Sequence, residues 1–194
     1  MNTNFSLAKV QQLFAQQTKP WWVAGGWAID LFLGEMTREH EDVDIAILRR
    51  DEKDFRLYLS SWELWPGMGA NKLEDKPLLI SEPLPINSEV LWCRPSVSSP
   101  WAFEMLTNPM HNENWLFKRD ESIVLPIVEM GMTSQVGIPF LKPEIVLLFK
   151  AKSLRNKDQQ DFNNCREKLN DISRRWLKTS LEKVHPRHQW IKEL

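Results

Sequence analysis

The chain has 194 residues, 42 % hydrophobic and 26 % charged, with 25 basic against 26 acidic side chains and a formal net charge of −1. That length supports one sizeable core or two small ones. The near-neutral balance lacks the basic field that drives affinity for long polyanions, so nucleic acid is not the expected partner. Cys93 and Cys165 lie far apart without metal-ligand spacing, which reads as a reduced, cytoplasmic chain. The opening MNTNFSLAKVQQLF lacks the basic and apolar regions of a secretion signal, and no run approaches the roughly 20 apolar residues of a membrane span.

Along the chain, residues 5–17 read as a helix with Leu7, Val10, Leu13 and Phe14 on one face, ended by Pro20. Trp21 to Ala24 is a short buried strand, and Gly25-Gly26 a tight turn after it. Trp27 to Leu33 has helical spacing, with Gly34 as the stop. Val43 to Leu48 alternates, placing Val43, Ile45 and Ile47 on one face and Asp42, Asp44 and Ala46 on the other. Asp51 is the expected N-cap of a helix through Phe55 and Leu59.

Short strands are expected at 62–65, 89–94, 101–107, 114–118, 123–130 and 137–141, around a turn-rich stretch at 66–88. From Pro143 the character changes. PEIVLLFKAKSLRNK reads as a helix with proline in its first turn. Asp158 and Asp161 read as the N-cap and N3 of a further helix, and the last 30 residues as amphipathic helix interrupted by Pro186. The outline is α+β: a mixed-sheet core over 1–142 and a C-terminal helical segment over 143–194 packed on it. The ten tryptophans have no evident cause in the sequence; most belong in a core, and some can line a pocket.

Asp42 and Asp44 share one pleat face, where like charges roughly 5–7 Å apart repel. Two readings follow. The strand face is solvated, or a divalent cation removes the repulsion; Mg²⁺ takes oxygen ligands from one or two carboxylates together with substrate phosphates. Glu104, alone in the strand-like WAFEMLTN, is either the polar side of an edge strand or a third carboxylate. Gly25-Gly26, opening a helix, would let backbone N–H groups approach an anion.

These residues carry a resemblance. GGWAIDLFLGEMTREHEDVDIAI, followed by LWCRP, WAFEMLTN, NWLFKRDESIVLP and IPFLKPEIVLLFKAKSLRNKDQQDF, is similar over about the first 162 residues to the polymerase-β-type nucleotidyltransferase superfamily. The pattern is closest to small bacterial nucleotidyltransferases that modify aminoglycosides and lincosamides. The resemblance implies a nucleotidyltransferase fold, with Asp42, Asp44 and Glu104 as catalytic and metal-binding residues. It implies Gly25, Gly26, Arg38, His40 and Lys150 around the nucleotide. Two Mg²⁺ ions roughly 3.5–4 Å apart would bind the attacking and leaving oxygens. A nucleoside monophosphate, AMP from ATP in the first instance, would pass to a hydroxyl of a small-molecule acceptor, with release of pyrophosphate. Glu104 is the candidate general base. The same site would serve a toxin-like nucleotidyltransferase acting on tRNA or protein, or a member that binds nucleotide without catalysis. Lys152, Arg94 and Arg119 are weaker candidate cations, and Asp158 and Asp161 read as structural.

Overall fold

The computed structural model describes residues 5–67 and 73–194. Residues 1–4 of the opening segment and 68–72 of the turn-rich stretch lie outside the described residues.

A seven-stranded mixed sheet has the order β3-β4-β5-β2-β1-β10-β9. Its strands are β1 (Trp21–Val23), β2 (Asp44–Leu48), β3 (Glu63–Gly67), β4 (Val90–Arg94), β5 (Phe103–Asn108), β9 (Gly131–Thr133) and β10 (Pro139–Leu141). β2 runs parallel to β5, β1 runs parallel to β10, and the other pairs are antiparallel. A second, antiparallel sheet holds β6 (Met110–His111), β7 (Asn114–Phe117) and β8 (Asp120–Pro126). The helices are α1 (Leu7–Leu13), α2 (Gly25–Leu33), α3 (Glu52–Tyr58), α4 (Pro143–Lys150), α5 (Asn156–Cys165) and α6 (Asp171–Val184). α4 packs on α2, α5 and α6, which fastens the C-terminal helices to the sheet through α2.

The expected α+β class with a mixed sheet is what the chain adopts. Several boundaries differ for local physical reasons. Gly25 and Gly26 are the first turn of α2, not a turn ahead of it; Ala24 is the N-cap. α1 ends at Leu13, well before Pro20. Asp51 holds the N-cap position of α3 but makes no capping bond; its carboxylate faces Lys19 at 3.6 Å. The 143–157 helix breaks after Lys150, and α5 starts at Asn156. Asp158 is therefore N3 of α5, accepting the Arg155 amide at 3.2 Å, and Asp161 lies in the helix interior rather than capping. The strand expected at 123–130 runs from Asp120 to Pro126, where a short 3₁₀ turn follows.

The alternation read in the sequence sets the core. Ile45 and Ile47 are fully buried, as are Met105 and Phe103 on the neighbouring β5. The Phe103 ring meets Phe5 at 5.7 Å, Phe14 at 5.7 Å and Trp62 at 5.5 Å between centroids. This aromatic cluster fixes the core side of β5 and so aims Glu104, the next residue, out of the opposite face. Phe103→Ala should destabilise the protein by about 3–5 kcal/mol in urea unfolding, the usual cost of a phenyl-sized cavity; a loss near zero would contradict this account of the cluster.

Candidate active site

Asp44 opens β2 and Glu104 is its register partner on β5. Partners across adjacent strands point to the same face, so residues sixty positions apart present two carboxylates side by side. The pairing is pinned at both ends: the Glu104 amide donates to the Val43 carbonyl at 2.9 Å, and the Ala24 amide donates to the Asp44 carbonyl at 2.8 Å. Asp42 stands exposed just ahead of the strand, and its charge acts on both carboxyls.

Burial, reinforced by Asp42, pushes the Asp44 carboxyl up to about 7. Burial, reinforced by Asp44 and then Asp42, pushes Glu104 up to about 8. Among the described residues neither carboxylate is taken up by an ion pair; the cations near Asp44 (Lys150, Lys157 and Arg155) act on it only through space. Among the described residues, too, no three acidic, histidine or cysteine groups lie together as a ready-made metal site. Asp44 and Glu104 are thus a facing pair of oxygen donors, and Asp42 adds its charge to theirs through space; a divalent cation would relieve that repulsion. The donor set suits Mg²⁺ in kind, since that ion keeps several waters and takes few protein ligands.

The glycines are dictated by what they touch. A Cβ on Gly25, whose φ is +60°, would lie 2.2 Å from Asp44 Oδ2. A Cβ on Gly26 would lie 2.1 Å from Arg38 Nη2 and 2.6 Å from His40 Nδ1. The nine-residue α2 can therefore set its N-terminus, with its free N–H groups and positive dipole end, directly against the carboxylate site.

Beside Asp44 lies a cavity of about 260 Å³. Gly25, Asp44 and Lys150 are in its wall, joined by Lys118, Arg119 and Arg155. Burial pushes the Arg119 guanidinium below its ordinary pKa, and it donates to the Phe149 carbonyl at 3.0 Å. Phe149 completes the wall, with Arg119 over its ring at 5.4 Å. The cavity wall thus sets four basic side chains around one carboxylate, a composition matched to a metal–polyphosphate.

Lys150 is held in this wall by ion pairs, whereas Arg38 and His40 do not line the cavity. Arg38 makes a bidentate pair with Asp161, Nε–Oδ1 2.9 Å and Nη2–Oδ2 3.0 Å, and donates to the Glu39 carbonyl at 3.0 Å. Lys150 Nζ sits 3.0 Å from Asp158 and 2.9 Å from Asp161. Asp161 therefore links α4, α5 and the loop ahead of β2. His40 Nε2 pairs with buried Asp30 at 2.5 Å while its ring lies against Trp27, 4.3 Å between centroids. Thr37 donates to the same Asp30 through its amide and hydroxyl. Asp30 thus clasps the 37–40 loop that delivers Asp42. Lys152 is exposed, and Arg94 is paired with Glu63 away from this cavity.

Lys118 and Arg155 were not among the expected residues. Lys118 had a signal: a Lys-Arg dipeptide in the turn between two alternating strands. Arg155 had none, because it reaches the cavity only through the break after Lys150.

Comparisons with known proteins bear on the fold and on the first third of the chain. Residues 6–64 match the family model of aminoglycoside-2''-adenylyltransferases. That stretch includes Gly25, Gly26, Arg38, His40, Asp42 and Asp44, and stops short of Glu104 and Lys150. A 2''-aminoglycoside nucleotidyltransferase of Klebsiella pneumoniae is 31 % identical over 96 residues, 48 % of this chain and 49 % of the relative. One of Escherichia coli is 30 % identical over 97 residues. The chain thus spans about half the length of the curated relatives it matches. In structure it is similar to ANT(2'')-Ia in complex with adenylyl-2''-tobramycin, with a TM-score of 0.57 at 11 % identity over 91 % of this chain and 95 % of that one. It is equally similar to the lincosamide antibiotic adenylyltransferase LnuA bound to lincomycin, with a TM-score of 0.57 at 16 % identity over 84 % and 98 %. The expected nucleotidyltransferase fold is the fold of this chain, and the resemblance to antibiotic nucleotidyltransferases holds.

The shifted carboxyls set a pH dependence. Both ionise above their ordinary values of 3.8 and 4.5, so the folded protein holds more protons than the unfolded chain between about pH 4 and 8. Their contribution to stability is present below that window and is lost as pH rises through it. In EDTA, the melting temperature of the wild type relative to Asp44→Asn should fall between pH 5 and 8.5. A difference that stays constant, or grows with pH, would contradict the assignment.

Proposed function

We propose that the protein is a Mg²⁺-dependent nucleotidyltransferase that moves a nucleoside monophosphate, AMP from ATP, onto a hydroxyl of a small antibiotic-like molecule and releases pyrophosphate. The observation that carries the reading is the in-register Asp44–Glu104 pair beside the N-terminus of α2 and the basic cavity. The names of the related proteins support an antibiotic acceptor.

Asp42, Asp44 and Glu104 would hold the metal, which when bound withdraws charge from the α-phosphate and the leaving oxygens. The chain's own groups do the rest. The α2 amides at Gly25 and Gly26 receive phosphate oxygens at the positive end of the helix. Lys118, Arg119 and Arg155 neutralise the triphosphate, and Lys150, fixed by Asp158 and Asp161, adds a positioned ammonium. Arg38 and His40 hold the loop that presents Asp42. Glu104, the carboxylate beside Asp44 across the β2–β5 pair, would receive the hydroxyl proton as that oxygen attacks the α-phosphorus.

The test is incubation with Mg²⁺ and α-labelled ATP across a panel of aminoglycosides and lincosamides. Label should move to one of these compounds, with equimolar pyrophosphate, and Asp44→Asn should lower the rate at least 100-fold. Mg²⁺–ATP should also raise the wild-type melting temperature much more than that of Asp42→Asn/Asp44→Asn. Undiminished transfer in Asp44→Asn, or equal melting shifts in both proteins, would overturn the reading.

A further inference from the structure

The carboxylate row does not stop at Glu104. Glu104 is the register partner of Trp92 on β4, and Trp92 is the partner of Trp65 on β3. Asp44, Glu104, Trp92 and Trp65 thus form one line across four strands on one face of the sheet. With strands about 4.8 Å apart, the two tryptophan backbones stand about 5 and 10 Å from that of Glu104. Trp101 closes the group edge-on, 5.6 Å from Trp92 and 6.2 Å from Trp65 between centroids. The row leaves Glu104 on the side away from the basic cavity, where an acceptor hydroxyl must enter if the α-phosphate lies over Asp44.

The charge on this wall is also set. Glu63 touches the rings, accepting from Trp65 Nε1 at 3.3 Å. Its carboxylate is taken up by Arg94, whose Nε and Nη2 lie 2.8 and 2.7 Å away. The Arg94 guanidinium in turn lies 4.7 Å from the Trp101 ring and 5.5 Å from Trp65. The Trp65 and Trp101 faces that would attract an ammonium are therefore already held by a cation, one whose charge Glu63 balances, so a further ammonium gains no cation–π contact there.

We propose that Trp65, Trp92 and Trp101 form the acceptor wall, and that it selects a neutral hydroxylated molecule with a flat apolar or sugar-ring face over a polycationic one. This rests on the nucleotidyltransferase reading and narrows it. Buried Trp92 is the rigid base of the wall, and half-exposed Trp65 and Trp101 supply the contact area.

The full-length protein is examined by saturation-transfer NMR with p-nitrophenyl β-D-glucoside as the neutral probe and tobramycin as the polycation. Each is measured with and without Mg²⁺ and a non-hydrolysable ATP analogue. The glucoside should bind more tightly than tobramycin, with saturation concentrated on its aryl and ring protons. Trp65→Ala should weaken it about tenfold, and Trp65→Phe should restore most of the loss. Trp65→Leu, which keeps the volume without the π-face, replaces Trp65→Ala if that variant fails to fold. Tighter binding of tobramycin, unchanged binding in the Trp65 variants, or no binding of the glucoside each overturns the proposal. A wild-type melting temperature indifferent to Mg²⁺–nucleotide would instead overturn the parent reading, which glucoside binding without nucleotide does not depend on.

Discussion

Two like charges held side by side on adjacent strands set the terms for the rest of the molecule. At about 5 Å and an effective dielectric of about 20, the repulsion between Asp44 and Glu104 would be on the order of 3 kcal/mol were both ionised, and with burial it keeps protons on the pair to near pH 7–8. The chain could relieve it by substitution or by pairing either group with one of its 25 basic residues. It does neither: the nearby cations are bound elsewhere, Lys150 by Asp158 and Asp161, Arg94 by Glu63. A ligand brought to this face with divalent charge would meet a site whose repulsion is already built in.

The surroundings serve the same end. Parallel pairing of β2 with β5 aligns the carboxylates, and the aromatic cluster around Phe103 keeps β5 from rotating them away. Two glycines at the head of α2 leave room for its close approach, Gly25 to the Asp44 carboxylate and Gly26 to Arg38 and His40. Behind them, Asp161 joins Arg38 to Lys150, and Asp30 fixes His40 and Thr37. Buried ion pairs of this type contribute little net stability, but removing one partner strands a charge, so they act as register pins for the loop and helix they connect.

Much of this was legible in the chain and some of it was not, for separable reasons. Alternation in 43–48 revealed β2 and the outward turn of Asp44 against Ile45 and Ile47, because a period of two is a local property; Asp42, expected on the same pleat, falls ahead of the strand. Glu104 stood out as a charge in an apolar strand, yet its alignment with Asp44 depends on a crossover of about sixty residues that no spacing encodes; the family resemblance supplied that link. The cavity's Arg155 was hidden because the helix break after Lys150 follows from tertiary packing. The described part of the turn-rich stretch was equally opaque. It is held by Arg56 donating to the Leu79 and Glu82 carbonyls and by Arg49 donating to those of Leu84, Pro85 and Ser88, long-range bonds to main chain with no side-chain signature. The tryptophans gain an account: Trp115 and Trp190 fill the core, Trp27 braces His40, and Trp65, Trp92 and Trp101 share the face of Glu104.

The central claim is that Asp42, Asp44 and Glu104 together attract a divalent cation. Soaking crystals with Mn²⁺ and a non-hydrolysable ATP analogue, and recording anomalous scattering, tests it most directly. The account predicts at least one Mn²⁺ between the Asp44 and Glu104 carboxylates, in contact with phosphate oxygens. Nucleotide bound with no metal at those carboxylates, or Mn²⁺ bound only elsewhere, would contradict it.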